Sequence, residues 1–148
     1  MSDPAYIHII YIRAPRQKVW DALTDPAQTP KFWFDTRIES DWTVGSAVTY
    51  HRGGKIDVSG QVLEADPPKR LRYTFVHDAQ YPESHAEGAS TVVYELEEQP
   101  NDGTRLTVIH DGFPDGSVVR PGISKGWPAI LSGLKSLLET GEALEIAY

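Results

Sequence analysis

The sequence predicts an α+β fold: an antiparallel, curved sheet of about six to seven strands around one long C-terminal helix, with two short helices after the first strand. Three observations carry this. Between Gly126 and Gly141, Trp127, Ile130, Leu131, Leu134, Leu137 and Leu138 recur at steps of three and four, while Ser132, Lys135, Ser136 and Glu139 face away. Ahead of that stripe run short apolar and polar alternations broken by Gly, Pro and Asp turns, the pattern of antiparallel strands. Between the first of these and the rest lie two helix-start signals, Ala14-Pro15 and Asp25-Pro26.

Taken in order, Tyr6 to Arg13 is apolar and β-branched on both faces (Ile7, Ile9 and Tyr11 against Ile10 and Ile12), as in a strand covered on each side. Pro15 opens a helix with Val19, Trp20 and Leu23 on its buried stripe. Asp25 caps a second, short helix that ends in the aromatic cluster Phe32-Trp33-Phe34. Strands follow over 37–40, 47–52, 55–65 and 70–77, separated by Val44-Gly45-Ser46, Gly53-Gly54 and Asp66-Pro67-Pro68. Asp78 to Gly88 is polar and reads as a long loop. Strands over 91–98 and 104–111 flank Pro100-Asn101-Asp102-Gly103, whose Asp-Gly step suits the positive φ of a hairpin turn. Phe113 to Ile123, rich in glycine and proline, reads as a second loop feeding the terminal helix.

Because side chains alternate along a strand, Val48 and Tyr50, then Leu71, Tyr73, Phe75 and His77, then Val92, Tyr94 and Leu96, then Leu106, Val108 and His110 fall on one face. That face meets the terminal helix. Its aromatics, with a hydroxyl or imidazole at intervals, suit either a core or a cavity with a few orienting polar groups.

The chain of 148 residues fits a single domain, 1–148, large enough to bury a core without staples. With no cysteine there is no disulfide, thiolate nucleophile or Cys-ligated zinc. A net charge of −7 with scattered basic residues argues against nucleic acid as a partner. The first residues lack a signal-peptide pattern and no apolar run reaches the roughly 20 residues that span a bilayer. A soluble, cytoplasmic protein is the expectation.

The pattern resembles the START-like (SRPBCC) superfamily, the helix-grip fold of the birch-pollen-allergen and polyketide-cyclase groups. More narrowly it resembles the branch named for the activator of heat-shock protein 90 ATPase homologues. The matching pieces are Ala14-Pro15 with Val19 to Thr24, Phe32-Trp33-Phe34, Asp41 through Gly45, Gly60 to Glu64 running to Pro67-Pro68-Lys69-Arg70-Leu71, Gly103 to Thr107, His110 through Phe113, and Gly126-Trp127 with its helix. The resemblance implies a hydrophobic cavity between sheet and terminal helix, with the two short helices closing one end. It also implies members that bind apolar, flavonoid-like or lipid-like molecules. The eukaryotic activator carries a further N-terminal domain, so chaperone stimulation is not carried over.

Set in that fold, Trp33, Phe34, Tyr50, Tyr73, Phe75, Tyr94, Phe113, Trp127, Ile130, Leu131 and Leu134 are the expected cavity lining, with His77 and His110 as polar anchors. On the helix, 127–131 faces the cavity and 134–138 seals the core. Arg37, Arg52 and Arg72 are all candidates to reach a ligand carboxylate. No catalytic set, metal site or cofactor is expected: HExxH, GxSxG and the phosphate-binding glycine loop are absent, and Gly53-Gly54-Lys55 reads as a turn. The expected partner is a hydrophobic small molecule, carried or sensed. Two rivals stand beside this: a cyclase- or hydrolase-type enzyme with His77 or His110 as general base, and a protein-interaction module, a co-chaperone for example, using an exposed apolar patch.

Overall fold

The computed structural model describes residues 2–146. Seven strands, β1 (Tyr6–Ile12), β2 (Arg37–Glu39), β3 (Ala47–Arg52), β4 (Lys55–Asp66), β5 (Arg70–His77), β6 (Ser90–Gln99) and β7 (Gly103–Asp111), form one antiparallel sheet in the order β1-β7-β6-β5-β4-β3-β2. Helix α1 (Arg16–Thr24) and a 3₁₀ turn (Thr29–Lys31) follow β1, α2 (Pro82–Glu87) follows β5, and α3 (Arg120–Thr140) ends the fold. This is the helix-grip arrangement that the family resemblance implies, with the strands and the long terminal helix that the periodicities predict.

The register bears out the shared inward face: Tyr73 lies opposite Val92, Val92 opposite His110, and Leu96 opposite Leu106. These residues pack with Ile130, Leu131 and Leu134 of α3 into one core. Helix α1 adds Val19, Trp20, Ala22 and Leu23. Gly133 lets α3 come close to the segment after the 3₁₀ turn, since a Cβ there would stand 3.2 Å from the Cβ of Phe32.

Several local expectations are corrected. Ile7, Ile9 and Tyr11 are 60%, 54% and 56% exposed, so β1 is covered on one face only. It is an edge strand whose other face stays largely exposed. The short helix after Asp25 is only a 3₁₀ turn over Thr29–Lys31 with no side-chain cap, and Asp25 Oδ1 instead accepts from the Ala27 N–H at 2.9 Å in the turn before it. The polar stretch 78–88 contains α2, with Pro82 in its first turn. Helix α3 begins at Arg120, inside the expected second loop, because Pro121 suits a first turn and the buried stripe extends back to Val119 and Ile123. At its other end Leu137 and Leu138 are only half-buried, so the seal over 134–138 rests on Leu134. In the last hairpin the positive φ falls on Asp102 of the Asp-Gly step, as expected, and extends to Asn101 before it. Among the described residues, no helix is long and apolar enough to cross a membrane.

Candidate functional site

A cavity of about 340 Å³ lies between the β3–β5 end of the sheet, α3 and the segment after the 3₁₀ turn. It falls near the lower end of the roughly 300–1,000 Å³ typical of ligand pockets. Alternation along β3 sends Tyr50 and Arg52 to the same face, and along β5 it does the same for Phe75 and His77. Tyr50 lies opposite Val58, and Val58 opposite His77, so these residues form one cross-strand row beneath the hollow.

The register then slips: His51 pairs with Ile56 and skips Asp57. A bulge of this kind re-aims a side chain. Here it brings Asp57 to the cavity beside Val58, although strict alternation would turn the two residues to opposite faces. From α3, Gly122, Ile123, Gly126, Trp127 and Ile130 complete the opposite wall at helical spacing. Val118 and Val119, together with Ser84 of α2, sit at the rim. Phe34 and Asp35 take positive φ, turning the chain where the Phe34 ring lies 3.9 Å from the position of a Cβ on Gly126.

The wall is an edge-to-face aromatic cluster. Trp33 lies 5.2 Å from Trp127 and 5.5 Å from Tyr50, and Tyr50 lies 5.7 Å from Phe75. Such pairs hold the rings in fixed orientations. Around the polar end, Arg52 Nη2 stands 3.6 Å from Asp57 Oδ2, and the Tyr81 hydroxyl donates to Asp57 Oδ1. Burial pulls the His77 imidazole below its usual value, with Asp57 and Glu87 opposing in part. The imidazole is therefore neutral near pH 7. Its Nδ1 is sealed without a hydrogen-bond partner among the described residues.

Of the residues expected at the site, the structure brings Trp33, Phe34, Tyr50, Phe75, His77, Trp127 and Ile130 around the cavity. Tyr73, Tyr94, His110, Phe113, Leu131 and Leu134 stand behind that wall, fully buried in the core. The hydroxyls of Tyr50, Tyr73 and Tyr94 form a buried chain, with Tyr73 to Tyr94 at 3.3 Å. Burial pushes the Tyr73 phenol up to about 12.

His110 is 0% exposed, and both its ring nitrogens are committed. Trp127 Nε1–H donates to Nδ1 at 3.1 Å, so the ring proton sits on Nε2, which donates to Ser90 Oγ at 2.7 Å. Ser90 in turn donates to the Phe75 carbonyl at 3.4 Å. This relay locks the orientation of Trp127, and with it one wall of the cavity. His110 is thus a support for the wall rather than an anchor inside it.

Sequence reasoning missed Thr36, Asp57, Val58, Ser84, Val118, Val119, Gly122, Ile123 and Gly126. Ile123 was detectable, since it continues the Trp127 stripe one turn earlier. Asp57 was not, because alternation alone hides a bulge. No group of His, Asp or Glu able to hold a metal ion occurs among the described residues.

A family model described as Activator of Hsp90 ATPase homolog 1-like protein matches residues 13–139. No curated protein matches the sequence. Among solved structures, protein MLL2253 from Mesorhizobium loti is 27% identical, with a TM-score of 0.77 over 92% of this chain and 97% of its own. CalU16 from Micromonospora echinospora is 26% identical, with a TM-score of 0.70 over 93% of this chain and 77% of its own. The Aha1 dimer from Colwellia psychrerythraea, 21% identical, shares the fold with a TM-score of 0.76 over 95% of this chain and 100% of its own.

Proposed function

The chain belongs to the Activator of Hsp90 ATPase homolog 1-like family, and from that premise we propose that it binds a hydrophobic small molecule, lipid-like or flavonoid- or polyketide-like, between the sheet and the C-terminal helix, as a carrier or sensor. The observation that carries this reading is the 340 Å³ cavity walled by Trp33, Tyr50, Phe75, Trp127 and Ile130. Apolar walls supply most of the affinity for such a ligand, and a few polar atoms at one end set its orientation.

The geometry weighs against the enzyme reading for His110, whose nitrogens have no lone pair or proton left for a substrate. The interaction-module reading is favoured by one observation, the exposed row Ile7, Ile9 and Tyr11 on β1. Sedimentation that depends on protein concentration, and is abolished by Ile9→Asp, would support it.

Native mass spectrometry of the protein as purified from cells tests the main reading directly, because a co-purified mass reports the ligand class. A thermal-shift screen extends the test: a ligand at 100 times its Kd stabilises by about 2.7 kcal/mol. Flat melting curves across flavonoids and fatty acids, with no co-purified mass, would overturn it.

A further inference from the structure

Sequence alone leaves Arg37, Arg52 and Arg72 as equal candidates to meet a ligand's acidic group. The fold separates them. Arg37 Nε lies 3.1 Å from Glu39 Oε1, and Arg72 Nη1 lies 3.6 Å from Glu64 Oε1, and neither residue lines the cavity. Arg52 does.

We propose that the cavity takes an amphipathic molecule carrying a carboxylate, with Arg52 binding that group and the His77 ring supplying a second hydrogen bond. The inference rests on the ligand-binding reading above and adds the charge of the ligand to it. Two carboxylates stand near this end, and both are engaged: Asp57 Oδ1 by the Tyr81 hydroxyl and Oδ2 against Arg52, and Glu87, which acts on His77 from outside the lining, by the Ser117 hydroxyl and the Val118 N–H. Arg52 has five N–H donors; its nearest approach to Asp57 is Nη2 at 3.6 Å, and the Tyr81 hydroxyl is its other neighbour at this end, which leaves donors of the fork over. The unspent capacity at this end is therefore for donating, which suits an acceptor-only group.

His77 adds to the same capacity. With Nδ1 sealed and unpartnered among the described residues, Nε2 is the nitrogen left to meet a ligand. A neutral ring with its proton on Nε2 leaves only a lone pair unsatisfied at Nδ1, and so presents a donor. Guanidinium and carboxylate also match in shape, because the planar fork binds two oxygens at once. The aromatic walls next to these donors give the apolar body of the ligand its place.

Three probes of one size test this: 2-naphthoate, 2-naphthamide and 2-naphthylmethylammonium, each titrated with Kd read from amide NMR shifts. The expected result is that naphthoate binds at least tenfold tighter than naphthamide, that ammonium binds weakest, and that Arg52→Gln removes the naphthoate advantage. Arg52→Lys, which keeps the charge but loses the fork, should retain part of it. Because Arg52 is half-exposed, both variants should melt near the wild-type temperature. Equal binding of carboxylate and amide, or tightest binding of the ammonium, overturns the acidic-ligand inference and leaves the cavity reading standing. Absence of binding by all three, with no shift at Trp127, counts against the ligand-binding reading itself.

Discussion

Replacing His110 with asparagine should remove a large part of the protein's sensitivity to mild acid. Burial, with the nearby His77 adding to it, pushes the folded-state imidazole from 6.5 down to about 3. Because the folded value lies below the unfolded one, the unfolded chain takes up its proton first. The stabilisation that comes from a neutral His110 is fully present above pH 6.5 and is lost as pH falls toward about 3. Each pH unit inside that window costs about 1.4 kcal/mol. Between pH 7.5 and pH 5.0 this residue alone should therefore cost the native state about 2 kcal/mol.

Asparagine retains an acceptor for the Trp127 N–H and does not titrate. The assay is urea unfolding at the two pH values on wild type and His110→Asn. Other groups, including His77, titrate in both proteins, so the quantity to compare is the loss of stability on acidification. Wild type should lose about 2 kcal/mol more than the variant. Equal losses would refute the assignment of His110 as a sealed, neutral member of the Trp127–His110–Ser90 relay.

Other perturbations separate the parts of the fold. Leu134→Ala, at a fully buried position, should cost about 2–5 kcal/mol by urea unfolding, whereas half-buried Leu138→Ala should cost under about 2 kcal/mol. Gly60→Ala should lower the melting temperature clearly, because a Cβ there would stand 1.7 Å from the Thr74 carbonyl oxygen of the next strand, and overpacking of this kind costs about 1–3 kcal/mol or more. Glu87→Gln should speed amide exchange at Val118 with little change in global stability. The Glu87 carboxylate accepts from the Val118 N–H at 2.7 Å and the Ser117 hydroxyl at 2.6 Å, tying α2 to the cavity rim.

Much of the fold was legible because its signals are local. Two-residue alternation in β5, β6 and β7 identified the inward face from Leu71 to His110, and the 127–138 stripe identified the helix that covers it. Where local signals conflict, the expectation failed. Glycine and proline in 113–123 pointed to a loop, while burial of Val119 and Ile123 against the sheet made its last turn helical. In β1 the apolar residues on both faces pointed to double coverage, yet the sheet ends there and one row stays open.

By itself the sequence determined which side chains face inward, since periodicity is written into neighbouring residues and backbone geometry does the rest. Only the tertiary structure decided which of those side chains border a hollow and which fill the core. Tyr50 and Tyr73 share a face and touch through their hydroxyls, yet one lines the cavity and the other is sealed behind it. The spacing between sheet and helix makes that difference, and it depends on side-chain volumes contributed by elements far apart in the chain. The same holds for the polar end, where a bulge turns Asp57 inward and the positions of distant strands single out Arg52 among three similar arginines.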